Sequence, residues 1–233
     1  MSEIGQLALA SATLVGTHFL LSHPLRGPLA KWLGEGAFRG LYSLVAIACF
    51  VWIYFSWGAV PASTPAYLAG EGAWVVASIA MWIASVMLVG SFFGNPALPA
   101  PGAIQAALRN PVGVFAITRH PMMWSFAIWA VVHMLLWPTP ESHIISTAIL
   151  VLALGGALGQ DAKKARLMGD AWRGWSRRTA FVPFAGQVGG RIPLGAAWPG
   201  VVALGGGTLV WLLFTWVHTP LGARMAAGIW RWL

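Results

Sequence analysis

The chain has 233 residues, 58% of them hydrophobic and only 9% charged. Soluble domains carry charge on roughly a quarter of their residues, so 14 basic and 6 acidic side chains exclude a water-solvated globule of this length. A formal charge of +8 and a pI near 10.9 raise nucleic acid as a partner, a reading that stands or falls on where the cations lie.

A hydrocarbon core about 30 Å thick needs about 20 helical residues at about 1.5 Å each. Six apolar stretches qualify as spans. The first runs from Glu3 to about Leu21 and, with no basic region before it, reads as an uncleaved span. The second runs from Leu41 to Val60 and the third from Ala73 to Phe93. Asn95 to Gly102 (NPALPAPG) holds three prolines and is expected as an extended crossing or re-entrant piece. The fourth span starts after Pro121 and ends at Trp137, and the fifth runs from His143 to about Gly159. Both are short, and Pro138-Thr139-Pro140 between them predicts a tight helical hairpin. The sixth runs from Pro199 to Val217. Beyond it, Leu221 to Leu233 places Arg224 and Arg231 among Trp230 and Trp232, a pattern for an interfacial helix. The predicted fold class is an all-α polytopic transmembrane bundle of about six spans with an interfacial C-terminal helix. Residues 1–185 are expected as one membrane domain, with the span and interfacial helix of 186–233 packed on the same bundle.

Sorting the charges by connection fixes an orientation. Arg26, Lys31, Arg39 and Glu35 follow the first span, and Arg109 with Arg119 follow the third. Lys163, Lys164, Arg166, Arg173, Arg177, Arg178 and Arg191, against Asp161 and Asp170, follow the fifth. This side totals +9, while Glu3, Glu71, Glu141, Arg224 and Arg231 leave the other at −1, together the observed +8. The positive-inside rule makes the +9 side cytoplasmic and puts both termini outside. The basic charge is therefore a topology signal, and nucleic acid drops out. A single cysteine, Cys49, excludes an internal disulfide and reads as a small buried hydrophobe.

Ionisable groups within a membrane are costly and usually face a cavity or a partner. Of six histidines, only His18, His23 and His120 fall in one layer, near the cytoplasmic ends of their spans; His133 lies about 20 Å further along. His18 shares a helical face with Ser11 and Ser22, a polar stripe that faces other helices, where hydrogen bonding and metal ligation are equally open to it. His120 precedes Pro121, which suits a first helical turn and sets the imidazole at a helix N-terminus. The positive end of the helix dipole disfavours an imidazolium, and a neutral ring is what a metal or haem iron requires. An Arg119–His120 pair meeting lipid headgroups is the plainer reading. Trp172, Trp175 and their arginines, in Gly169 to Phe184, read either as a surface helix with an aromatic belt or as a flap whose Arg173 or Arg178 binds a cofactor's anionic groups.

Thr17-His18-Phe19-Leu20-Leu21-Ser22, Pro24-Leu25-Arg26 and Phe38-Arg39-Gly40-Leu41-Tyr42-Ser43-Leu44, followed by Ile117-Thr118-Arg119-His120-Pro121, Trp124 and Trp129 to His133, resemble the two signatures of the NnrU family. The resemblance covers roughly residues 8 to 185. That family is similar to the plant 15-cis-ζ-carotene isomerase, an integral membrane protein that uses haem b for a redox-linked cis–trans isomerisation. The resemblance implies haem b as cofactor and His18 and His120 as axial ligands; haem carboxylates on the cytoplasmic side need cationic partners, for which Arg26, Arg39, Arg119 or Arg173 are the candidates. It implies further a bacterial inner-membrane location, membrane lipid as surroundings and an apolar small-molecule substrate drawn from the bilayer. The Arg119-His120-Pro121 turn and the stretch from Gly169 to Pro183 also resemble integral membrane methyltransferases, whose Arg-His-Pro turn and downstream acidic pair hold S-adenosylmethionine; here that pair is reduced to Asp161 after Gln160. A haem-binding accessory factor linked to denitrification or nitric oxide metabolism is the non-enzymatic alternative.

Overall fold

A computed structural model describes residues 1–98, 101–220 and 225–233. Among them the chain is helical throughout, with no strand. The helices, in chain order, are α1 (Glu3–Ser22), α2 (Arg26–Leu33), α3 (Glu35–Ala59), α4 (Glu71–Gly90), α5 (Ala103–Leu108), α6 (Val114–Ile117), α7 (Pro121–Leu136), α8 (Pro140–Met168), α9 (Asp170–Arg178), α10 (Ala185–Val188) and α11 (Gly200–Trp216). Four of them, α1, α3, α4 and α8, are long and apolar enough to cross a membrane, and α7 and α11 are shorter apolar helices. This is an all-α membrane protein, and among the described residues its six apolar helices overlap the six apolar stretches of the sequence.

Local chemistry sets the helix ends. Ser2 caps α1 by accepting from the Gly5 N–H at 3.3 Å. Thr139 does the same for α8, accepting from the Ser142 N–H at 3.3 Å, with Pro140 at the first helical position. Gly169, at φ +56°, breaks the backbone between α8 and α9 in a conformation that L side chains rarely adopt.

Two boundaries differ from the sequence reading. α8 does not stop near Gly159 but runs from Pro140 to Met168, 29 residues in all, so Asp161, Lys163 and Lys164 stand on a helix and not in a loop. The charges end the apolar pattern without ending the helical propensity of the alanines, lysines and leucine that follow. The C-terminal segment shows a short 3-10 turn at Gly228–Arg231 in place of a full interfacial helix, and the expected Arg224 lies outside the described residues.

The chain divides into two compact units, Met1–Ala69 with His133–Gly156, and Gly70–Val132 with Ala157–Leu233. In the first, Leu7, Ala10 and Leu14 of α1 meet Cys49 and Ile53 of α3, with Ile144, Ile145 and Leu152 of α8 packed on them. A Cβ on Gly155 would lie 2.9 Å from the Phe19 ring, so α8 needs glycine there to approach α1. Leu44, Ile47 and Phe55 of α3 are exposed, a face suited to lipid tails.

In the second unit α4 and α11 pack so closely that a Cβ on Gly207 would meet the Val86 Cα at 2.5 Å. Trp82 Nε1 donates to Thr208 Oγ1 across the same seam at 2.9 Å. The core of this unit gathers Met87, Ala97, Ala107, Val114, Phe115, Trp172 and Trp175. Trp172 and Trp175 are 1% and 2% exposed, so they are core residues and not an aromatic belt. An amphipathic α9 turns its two indoles inward and leaves Arg173 outside. The described part of the Asn95 to Gly102 segment is held by polar anchors: the Asn95 carboxamide accepts from the Ala97 N–H at 2.9 Å, and Lys164 Nζ donates to the carbonyls of Pro96 and Leu98 at 3.2 and 3.3 Å. Pro99 and Ala100 of that segment lie outside the described residues.

Candidate functional site: a buried His120–Asp161–Arg119 cluster

Residues 116–120 cannot satisfy their backbone within a helix, because α6 ends at Ile117 and α7 begins at Pro121. The segment from Ala180 to Gln187 supplies the missing partners. The Ala180 carbonyl accepts from the Arg119 N–H at 2.8 Å, and Phe184 N–H donates to the Ile117 carbonyl at 3.0 Å. The Phe181 carbonyl accepts both the Thr118 hydroxyl at 2.6 Å and the Trp124 indole N–H at 2.8 Å. Gln187 Nε2 donates to the Ala116 carbonyl at 2.9 Å. These ties span 57 to 71 residues of sequence and lock the turn that presents Arg119 and His120.

His120 stands at the N-terminus of α7 as its proline context requires, and its side chain is fully buried. It therefore does not meet lipid headgroups, the plainer of its two sequence readings. Its Nε2 lies 2.8 Å from Asp161 Oδ1. Arg119 grips the same carboxylate with Nε at 3.0 and 2.9 Å from its two oxygens, and with Nη2. The Phe181 ring meets the imidazole edge-on at 5.5 Å between centroids, and the Trp172 ring lies at 6.3 Å. Arg119 also stacks over Phe181, its guanidinium carbon 5.3 Å from the ring centre. The other imidazole nitrogen, Nδ1, is buried with no hydrogen-bond partner among the described residues. Buried polar atoms are almost always paired, and this cluster leaves two ring nitrogens unpaired among those residues, His120 Nδ1 and the Trp172 indole Nε1.

His18 sits on α1 in the first unit, half-buried, with its ring 4.9 Å from that of Tyr42. Ser22, on the same face, lies 3.1 Å from the Tyr42 hydroxyl and donates to the His18 carbonyl. Ser11 on that stripe is 2% exposed, so the stripe does face inward. Arg26 pairs with Glu35 at 3.1 Å, and Arg39 Nε donates to the Glu35 carbonyl at 3.3 Å, which gathers these two arginines about one acidic residue. Arg173 pairs with the exposed Asp170 at 2.8 Å. Arg178 instead donates to the Ala107 carbonyl at 2.7 Å and serves as a tie to α5. His143 and His218 each place Nδ1 on the carbonyl four residues back, at 2.8 and 2.7 Å. The structure thus brings Arg119 to His120 and Arg26 to Arg39. The residue at the centre of the cluster, Asp161, was signalled in the sequence only as the remnant of an acidic pair, and Tyr42 only as part of a motif.

Over residues 6–225 the chain matches the family model described as NnrU protein. It belongs to the NnrU family. A relative named 15-cis-zeta-carotene isomerase, chloroplastic, from Arabidopsis thaliana, is 27% identical over 168 residues, covering 69% of this chain and 44% of the relative. This NnrU-family chain therefore spans less than half the length of that relative. No solved structure matches it.

Among the described residues no group of three or more His, Cys, Asp or Glu side chains is placed to hold a bare metal ion. An iron already held by a porphyrin needs only one or two axial side chains. His120 is the candidate for one such side chain. Metal-bound histidines typically give one ring nitrogen to a carboxylate or carbonyl and the other to the metal. Here Asp161 holds Nε2, and Nδ1 is buried and unpartnered.

Proposed function

We propose that this NnrU-family protein is a haem-b-dependent membrane isomerase acting on an apolar, polyene-like substrate taken from the bilayer. The observation that carries the reading is the buried His120, anchored by a carboxylate through one nitrogen while the other is left without a partner. Similarity to the named carotene isomerase supports the reaction class. His18 and His120 are the proposed axial ligands, and Arg26, Arg39, Arg119 and Arg173 the cations for the propionates. Bound haem b would supply a redox-active iron able to lower the barrier to rotation about a substrate double bond.

The chain's own residues then have defined tasks. Asp161 fixes the orientation of the His120 ring, and Arg119 balances the carboxylate's charge. Trp172 and Phe181 cover the imidazole with apolar surface and keep water from it. The excess of cations after the first, third and fifth spans supports a bacterial inner-membrane placement with that side in the cytoplasm and both termini outside.

The test is the visible spectrum of protein purified after expression with ample haem, repeated on His18→Ala and His120→Ala. A Soret band in the wild type that is lost or displaced in each variant is the expected result. A colourless wild type removes the haem reading, and two unchanged variant spectra remove the ligand assignment. Bound haem whose spectrum ignores added polyenes points to the accessory-factor alternative.

One observation favours a second reading. Asp161 meets both members of the Arg119-His120 pair, the union of acidic residue and Arg-His-Pro turn that the resemblance to membrane methyltransferases implies. That reading requires S-adenosylmethionine binding to the colourless protein, and a calorimetric titration without heat change would dismiss it.

A further inference from the structure

We infer that Asp161 is a positioning residue that holds His120 as its Nε2–H tautomer, so that the histidine offers its lone pair to a ligand through Nδ1. A carboxylate has only lone pairs to offer, and both oxygens of Asp161 already accept from Arg119. The ring nitrogen 2.8 Å from Oδ1 must therefore carry the proton. In a neutral imidazole the other nitrogen is then the acceptor. That nitrogen, Nδ1, belongs to a fully buried side chain and has no hydrogen-bond partner among the described residues.

The geometry leaves little freedom to do otherwise. His120 N–H is tied to Thr118 Oγ1 at 3.3 Å, and Thr118 is itself fastened to the Phe181 carbonyl. Phe181 and Trp172 flank the ring. Asp161 is set by the register of α8 and clamped by Arg119 on two atoms. The cluster is thus a prearranged electron-pair donor whose reactive nitrogen is chosen by a residue some 41 positions away in sequence. The tautomer assignment stands on the structure alone; only the identity of the ligand as haem iron rests on the proposed function.

The experiment separates the two. Nitrogen-15 spectra of histidine-labelled wild-type protein in detergent, with His120 assigned by comparison with His120→Ala, report the protonation of each ring nitrogen directly. The expected result is a pyrrole-type Nε2 and a pyridine-type Nδ1. A pyridine-type Nε2, or protons on both nitrogens, overturns the inference. In Asp161→Asn, which keeps the shape and can turn its amide N–H towards Nε2, the proton is expected to move to Nδ1, whereas Asp161→Glu keeps the wild-type tautomer. Haem titration then reads the ligand: Asp161→Asn should bind about 10- to 100-fold more weakly than wild type, with Asp161→Glu restoring most of the affinity. Haem affinity in Asp161→Asn equal to wild type, with the tautomer reversed, refutes Nδ1 as the liganding atom. If no form binds haem while the spectra are as expected, the haem reading fails and the tautomer assignment stands.

Discussion

His18 and His120 are the same side chain set in two kinds of scaffold. In the first unit, polar side chains settle mostly within their own helix: Thr13 donates to the Leu9 carbonyl, Thr17 to Thr13 and Ser22 to His18. His18 is accordingly placed by helix packing, its ring against Tyr42. In the second unit Ser85, Ser125 and Thr215 do the same, but the polar groups around His120 tie distant segments together: Thr118 and Trp124 to Phe181, Arg119 and His120 to Asp161, Lys164 to Pro96 and Leu98. The first arrangement gives a histidine a place, and the second gives it a direction. Buried backbone polar groups outside a helix need other protein groups to satisfy them, and satisfying the turn from Ala116 to His120 is what creates the cluster.

This contrast can be broken by mutation. The largest effect is expected for Trp172→Ala, which empties a fully buried indole site in the second unit and should cost about 3–5 kcal/mol. Thermal unfolding in detergent, followed by circular dichroism, measures it; a midpoint equal to wild type would mean that the indole does not hold this core. Next come the arginines. Arg119→Ala strips a clamped carboxylate of its counter-charge and should cost about 3 kcal/mol, whereas Arg26→Ala loses a more exposed pair with Glu35 and should cost less than about 1 kcal/mol. Equal shifts in the unfolding midpoint would erase the distinction between the units. The smallest and sharpest comparison is between two threonines. Thr118→Val removes a buried cross-segment bond and should cost about 1 kcal/mol. Thr17→Val removes a bond to a carbonyl of its own helix and should fall within about 0.5 kcal/mol of wild type. A reversal of that order would refute the division of labour.

The spans were legible because length and hydropathy are local properties, and Glu3–Ser22 or Glu71–Gly90 can be read from a window of residues. Pro121 announced the start of α7 for the same reason, whereas α8 begins at Pro140 and so takes in residues read as the turn before His143. The continuation of α8 past Gly159 was hidden, since Asp161 and Lys164 break the apolar pattern while remaining good company for a helix. The burial of Trp172 and Trp175 was hidden too. Tryptophans beside arginines suit a membrane surface as well as a core, and only the packing of Phe115 and Met87 against them decides it. Within the site, Arg119 and His120 were visible as neighbours. Asp161 was visible beside them only through the resemblance to membrane methyltransferases, because a meeting across 41 or 42 positions leaves no trace in composition or spacing.

One turn of α8 carries Gln160, Asp161 and Lys164, which hold the Ala97 carbonyl, the Arg119–His120 pair, and the Pro96 and Leu98 carbonyls. Two otherwise separate segments thus share one angular setting. Adding a single residue between Asp161 and Lys164 would swing Lys164 by about 100° about the helix axis relative to Asp161, and the two segments could no longer be held at once. Adding four residues there would nearly restore the angle but shift Lys164 by about 6 Å along the axis. The side chains of this turn can therefore be varied one at a time, but the spacing between Asp161 and Lys164 cannot be varied in small steps.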